Sequence, residues 1–142
     1  MDSNLRREII LDNYQDPMNK GLLNDDSYLK VNASSENCID NLDFMVKIED
    51  NKIVDIRFDG EACAISTSST SIMINNLIGL TISEAIKYVD NFANMVEEKN
   101  YDKDLLKEAI VYEDIYKQNN RKHCAMLPYI GIRKVLEKHL NK

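Results

Sequence analysis

Two alternating runs, Leu42-Asp43-Phe44-Met45-Val46-Lys47-Ile48 and Ile53-Val54-Asp55-Ile56-Arg57-Phe58-Asp59, flank the polar residues Glu49-Asp50-Asn51-Lys52. Apolar side chains at 42, 44, 46 and 48, and again at 54, 56 and 58, follow the two-residue period of half-buried strands. So short a polar connection predicts an antiparallel hairpin. Pairing then brings whatever precedes the first run to the same edge of the sheet as whatever follows the second. Those flanks carry chemistry, because Cys38 and Asp40 lie before the first strand and Cys63 lies after the second.

Cys63 sits in Gly60-Glu61-Ala62-Cys63-Ala64-Ile65-Ser66. The run from Ala64 to Leu77 is too long for one strand and is closed by Gly79, which predicts a helix. A sulfur at that junction lies near the free N–H groups and positive end of the helix, which favour thiolate over thiol. It would be reactive or metal-binding. A single cysteine there is more often a small buried hydrophobe, and what overturns that reading is the company it keeps.

The remaining chain reads as follows. Residues 3 to 14 form an amphipathic segment with Leu5, Ile9 and Tyr14 near one side, capped by Ser3 or Asn4 and ended by Pro17. Tyr28 to Asn32 is a short extended piece leading to the polar loop that carries Cys38 and Asp40. Thr81-Ile82-Ser83-Glu84 has capping-box form and opens a helix with Ile82, Ala85, Ile86, Val89, Ala93 and Val96 on its apolar face. A further helix is expected from Asp104 to Tyr116, with Leu105, Leu106, Ala109, Ile110 and Ile115 inward. Gln118 to Lys122 reads as a polar connection, and Pro128 suits the first turn of a last helix. The fold class is α+β, a small antiparallel sheet of about three strands with helices packed on one face.

A chain of 142 residues is expected to form one domain, 1–142, with a real core. Its net charge of -6, without a basic stripe, argues against a nucleic-acid partner. No stretch approaches a membrane span and no export signal opens the chain, so the expected location is cytoplasmic. The three cysteines are odd in number and far apart, which disfavours a disulfide framework and favours metal binding or catalysis.

Cys38, Asp40, Cys63, His123 and Cys124 all fall at element boundaries, where sites are built. Three thiolates with one nitrogen or oxygen donor suit tetrahedral zinc, and thiolates also hold iron-sulfur clusters. The residues alone leave both open.

Cys38-Ile39-Asp40 resembles the Cys-Gly-Asp of the SufU/IscU (NifU N-terminal-like) family of iron-sulfur cluster assembly proteins. Gly60-Glu61-Ala62-Cys63 with the small-residue run Ala64 to Ser71 resembles the family's second cysteine and its helix. Arg121-Lys122-His123-Cys124-Ala125-Met126-Leu127 resembles its third, and Tyr14-x-x-Pro17-x-Asn19-x-Gly21 also fits. The match spans nearly the whole chain in order. Residues around 95 to 118 resemble the insertion of SufU-type proteins, Arg121 is also SufU-like, and the Leu-Pro-Pro-Val-Lys motif of IscU-type proteins is absent. His123 is similar instead to the IscU pattern.

The resemblance implies zinc held by Cys38, Asp40, Cys63 and Cys124, and a sulfurtransferase that accepts persulfide sulfur from a SufS-like cysteine desulfurase. Cys38 would be the sulfur acceptor, Arg121 a partner contact, and downstream iron-sulfur assembly proteins the recipients. The alternative is a scaffold on which a [2Fe-2S] cluster, or iron, is held by the same cysteines. Zinc with three thiolates and a carboxylate would carry a charge of about -2, partly offset by Arg121 and Lys122. Two departures stand out: Ile39 replaces the family glycine, and His123 could replace Asp40 as fourth ligand.

Overall fold

The computed structural model describes residues 1–35 and 39–140. Its elements run α1 (Ser3–Gln15), β1 (Leu29–Ser34), β2 (Asn41–Glu49), β3 (Lys52–Glu61), α2 (Ala64–Leu77), α3 (Ile82–Val96), α4 (Lys103–Leu106), two 3-10 turns (Lys107–Tyr112 and Ile115–Lys117) and α5 (Asn119–Leu140).

β2 and β3 form the hairpin through Asp50 and Asn51, whose φ of 51° and 63° are those a tight two-residue turn requires. β1 pairs antiparallel with β2, giving the order β1-β2-β3. The alternation of β3 differs from expectation at one point. The register shifts between Lys47, opposite Asp55, and Ile48, opposite Ile53, which leaves Val54 as an extra residue. Ile53 is therefore buried and Val54 is 39% exposed, the reverse of the simple two-residue reading.

Leu42, Phe44, Val46, Ile53, Ile56 and Phe58 join one core with side chains of α2, α3 and α5. α5 lies close on the sheet: a Cβ at Gly131 would come within 3.1 Å of both Ala33 and Phe44. Met45, on the opposite side of its strand from that set, is buried as well, and its sulfur accepts the Leu23 N–H at 3.3 Å. The segment after α1 reaches it by running along the free edge of β3, where the Gly21 N–H donates to the Phe58 carbonyl at 2.7 Å.

α2 is rich in hydroxyls, and most of it is buried. The hydroxyls find partners: Ser69 donates to the Ala125 carbonyl, Ser71 to Asn13 Oδ1 and Thr70 to the Ser66 carbonyl, each at 2.7 Å. The capping box at Thr81 and Glu84 is present on α3.

Three expectations need correction. The expected helix from Asp104 to Tyr116 stops at Leu106, because Lys107 takes φ 51° and ψ -125° and reverses the chain. That reversal turns Ala109, Val111 and Tyr112 into the core, where Tyr112 meets Phe92 edge-on. α5 begins at Asn119, so Arg121 to Cys124 belong to its first two turns and Pro128 lies in its interior. α1 buries no residue fully, and Leu5 and Tyr14 are 46% and 45% exposed. Its N-cap is Asp2, without a side-chain cap, and Arg6 ties it to Glu113 and Asp114 at 2.9 Å and 3.0 Å.

Candidate metal centre

Asn41 pairs with Glu61 at the open end of the hairpin, so the residues just beyond, Asp40 and Cys63, meet across it. Gly60 makes this approach possible. It takes φ 131°, and a Cβ there would stand 2.1 Å from the Asn41 carbonyl oxygen.

Asp40 is 1% exposed. Its Oδ1 accepts the Cys63 N–H at 2.7 Å, and its Oδ2 lies 2.7 Å from Ser66 Oγ and 3.6 Å from Cys63 Sγ. Cys63 is the N-cap of α2, its sulfur accepting the Ser66 N–H at 3.4 Å. The carboxylate and the thiol thus share the free donors of one helix start.

Cys124 arrives from α5. A carboxylate oxygen of Asp40 and the sulfurs of Cys63 and Cys124 all lie within 4.8 Å of one another. Burial pushes the Cys124 thiol well above the ordinary cysteine range, and the neighbouring Cys63 and Asp40 push it further the same way. Two thiols and a carboxylate gathered in one half-buried place suit a cation, whose binding would displace the thiol protons. The spacing also fits one: tetrahedral zinc, with bonds of about 2.0 to 2.3 Å, spaces its ligand atoms roughly 3.3 to 3.8 Å apart. The 3.6 Å from Cys63 Sγ to Asp40 Oδ2 falls in that range.

Of the residues singled out in the sequence, Asp40, Cys63 and Cys124 come together, while Cys38 lies outside the described residues. His123 is exposed next to Cys124 and does not belong to the converging set among the described residues. Arg121 is exposed in the first turn of α5, and Ile39 is 74% exposed beside Asp40. Sequence reasoning missed Ser66. Its position three residues after an N-cap cysteine was the available signal, because that is where a helix-start N–H meets the cap.

A thiol capping a small-residue helix, a carboxylate at a paired strand end and a second thiol on the last helix define a small α+β protein with a metal-competent thiol centre. Residues 5–142 match the NifU-like N terminal domain, and the chain belongs to that family. It is 32% identical over 135 residues to the zinc-dependent sulfurtransferase SufU of Bacillus subtilis, covering 94% of this chain and 90% of that one. It is 29% identical over 140 residues to the iron-sulfur cluster assembly scaffold protein IscU of Streptococcus pyogenes, covering 98% and 87%. A crystal structure from Fervidobacterium islandicum AW-1, described as a candidate iron-sulfur cluster assembly scaffold for the SUF system, superposes with a TM-score of 0.85. Identity to it is 31%, over 91% of this chain and 94% of that one. The three-stranded antiparallel sheet with helices is the expected fold class. No helix among the described residues is long and apolar enough to cross a membrane.

Proposed function

We propose that this chain is a zinc-dependent sulfurtransferase of iron-sulfur cluster assembly, taking persulfide sulfur from a cysteine desulfurase and passing it to downstream assembly proteins. The observation that carries the reading is the convergence of Asp40, Cys63 and Cys124 on one position. Similarity to the Bacillus subtilis sulfurtransferase supports it.

Cys38 is the proposed fourth ligand and the sulfur acceptor. It precedes Asp40 by two residues, and a two-residue span of chain reaches no further than about 7 Å. Zinc held by Cys38, Asp40, Cys63 and Cys124 keeps thiols deprotonated near neutral pH. The transfer itself is thiol-disulfide exchange. The Cys38 thiolate attacks the outer sulfur of the desulfurase persulfide, the sulfur-sulfur bond breaks, and the desulfurase leaves as thiolate while Cys38 keeps the persulfide. Asp40, held by the Cys63 N–H and Ser66, is the proposed oxygen ligand of the centre. Arg121, exposed at the start of α5, is the proposed contact with the partner.

A scaffold carrying a [2Fe-2S] cluster on the same cysteines is the second reading, favoured by the similarity to IscU proteins. Protein purified without oxygen separates the two. The sulfurtransferase reading expects about one zinc per chain, no visible absorption, and faster cysteine-dependent sulfide release by an added desulfurase, lost in Cys38→Ser. A brown, iron-loaded protein that leaves the desulfurase rate unchanged would establish the scaffold instead.

A further inference from the structure

Pro128 stands inside α5 and has no N–H for the carbonyl four residues earlier, that of Cys124. Ser66 brings a donor within reach of that carbonyl. Its hydroxyl lies 2.9 Å from the Cys124 carbonyl oxygen, bridging from the first turn of α2 to the turn of α5 that presents the thiol. The same Oγ is 2.7 Å from Asp40 Oδ2 and 3.6 Å from Cys63 Sγ. Ser66 is 0% exposed, so bulk water does not compete for these contacts. One buried hydroxyl therefore touches all three residues whose donor atoms converge.

That hydroxyl has one proton and two oxygen acceptors within reach. A carboxylate that no cation is drawing on is a stronger acceptor than a peptide carbonyl, so in the metal-free protein Asp40 holds the proton. Once a cation draws on Asp40, the Cys124 carbonyl gains relative to it and the proton turns that way. The turn supplies the bond that Pro128 denies to α5, beside the Cys124 thiol. Both events then favour each other, since coupling between two sites is reciprocal.

We propose that Ser66 is a positioning residue of the metal centre, whose hydroxyl passes from Asp40 to the Pro128-freed carbonyl of Cys124 as the metal is bound. The proposal rests on the reading that Asp40, Cys63 and Cys124 hold zinc. It assigns Pro128 a purpose, since an interior proline otherwise only weakens a helix.

Zinc affinity of the full chain, measured by competition with a chromophoric chelator, tests this together with the absorption spectrum of the cobalt(II)-loaded protein. Ser66→Ala should lower zinc affinity about tenfold, the low end for loss of a group that orients a ligand, and shift the cobalt bands. Ser66→Thr, which keeps the hydroxyl, should recover most of the affinity. Pro128→Ala is the decisive variant because it restores a helical N–H at a position already inside α5. It should raise the thermal stability of the metal-free protein yet weaken zinc binding several-fold, since the carbonyl no longer gains a donor on loading. In the Pro128→Ala background, Ser66→Ala should cost less than it does alone. Unchanged affinity in Pro128→Ala, or an equal Ser66→Ala loss in both backgrounds, would overturn the coupling. Failure of the unsubstituted protein to bind zinc or cobalt would instead refute the functional reading itself.

Discussion

The backbone N–H of Cys63 donates to Asp40 Oδ1 at 2.7 Å across the open end of the hairpin. The bond gives one side chain two duties. It satisfies a donor at the start of α2, and it holds a carboxylate against two thiols.

Removing that carboxylate should therefore affect stability even when no metal is present. Asp40→Ala leaves the Cys63 N–H without its acceptor, while the Ser66 hydroxyl keeps the Cys124 carbonyl, and should cost about 1 to 3 kcal/mol in urea unfolding of the metal-free protein. Asp40→Asn keeps an amide oxygen for the Cys63 N–H and should lose less, while both variants weaken zinc binding. Equal unfolding midpoints for Asp40→Ala and the parent would show that the bond has no structural weight.

Cys124 sets a pH dependence. Its thiol is held protonated above the ordinary range by burial and by Cys63 and Asp40, so zinc must displace a proton to bind it. Affinity should rise with pH between 6 and 8 by roughly tenfold per unit for each proton released. Calorimetry in two buffers of different ionisation enthalpy reads the protons directly. For the metal-free protein the sign is opposite. A raised pKa contributes stability below the unfolded thiol value near 9, and that contribution is lost as pH rises past it. A zinc affinity flat across this range would mean that Cys124 does not ligate.

The sheet and the site were legible to different depths. Alternation in 42–48 and 53–59 locates both strands, and the short connection sets their pairing, which brings Asp40 and Cys63 to one edge of the sheet. The bulge that exposes Val54 was not legible, because a period of two carries no sign of a skipped partner. Residues 103–117 misled for a related reason: Leu105, Ala109 and Ile110 recur at helical spacing, whereas the chain reverses at Lys107 and buries its apolar residues through turns. Pro128 misled through a rule that is usually sound, that proline starts helices. The rule fails where a hydroxyl from another helix lies within hydrogen-bond reach of the carbonyl that proline orphans. Cys124 was legible as a candidate ligand from its place at an expected element boundary and by resemblance, yet its distance from Cys63 in sequence meant that only the packing of α5 on α2 could bring the thiols together.

Gly60 is the point where fold and site are least separable. Any side chain there must displace the Asn41 carbonyl, which an added Cβ would approach to 2.1 Å, and must also accept φ 131°. Gly60→Ala should destabilise by about 3 kcal/mol or more, because strain and clash act together. Whatever fraction folds should bind zinc poorly, since the strand ends that align Asp40 with Cys63 are forced apart. Retention of the parental urea midpoint with full zinc stoichiometry would contradict this geometry.

Lys107 offers the converse test, at a distance from the thiols in the fold's logic. Its φ of 51° with ψ of -125° lies outside the left-handed helical well that Asp50 and Asn51 occupy in the hairpin turn, so a side-chain amide or carboxylate would not ease it. Glycine alone is comfortable there, and Lys107 is exposed and brings no ion pair among the described residues. Lys107→Gly relieves a strain on the order of 1 to 3 kcal/mol, and the greater freedom of glycine in the unfolded chain returns up to about 1 kcal/mol of that. The net should be a gain of about 1 kcal/mol, or roughly 2 to 4 °C in the thermal midpoint, with zinc affinity unchanged. A lower midpoint would mean that the chain does not reverse at Lys107 in this way, and that the continuous helix expected from the sequence forms instead.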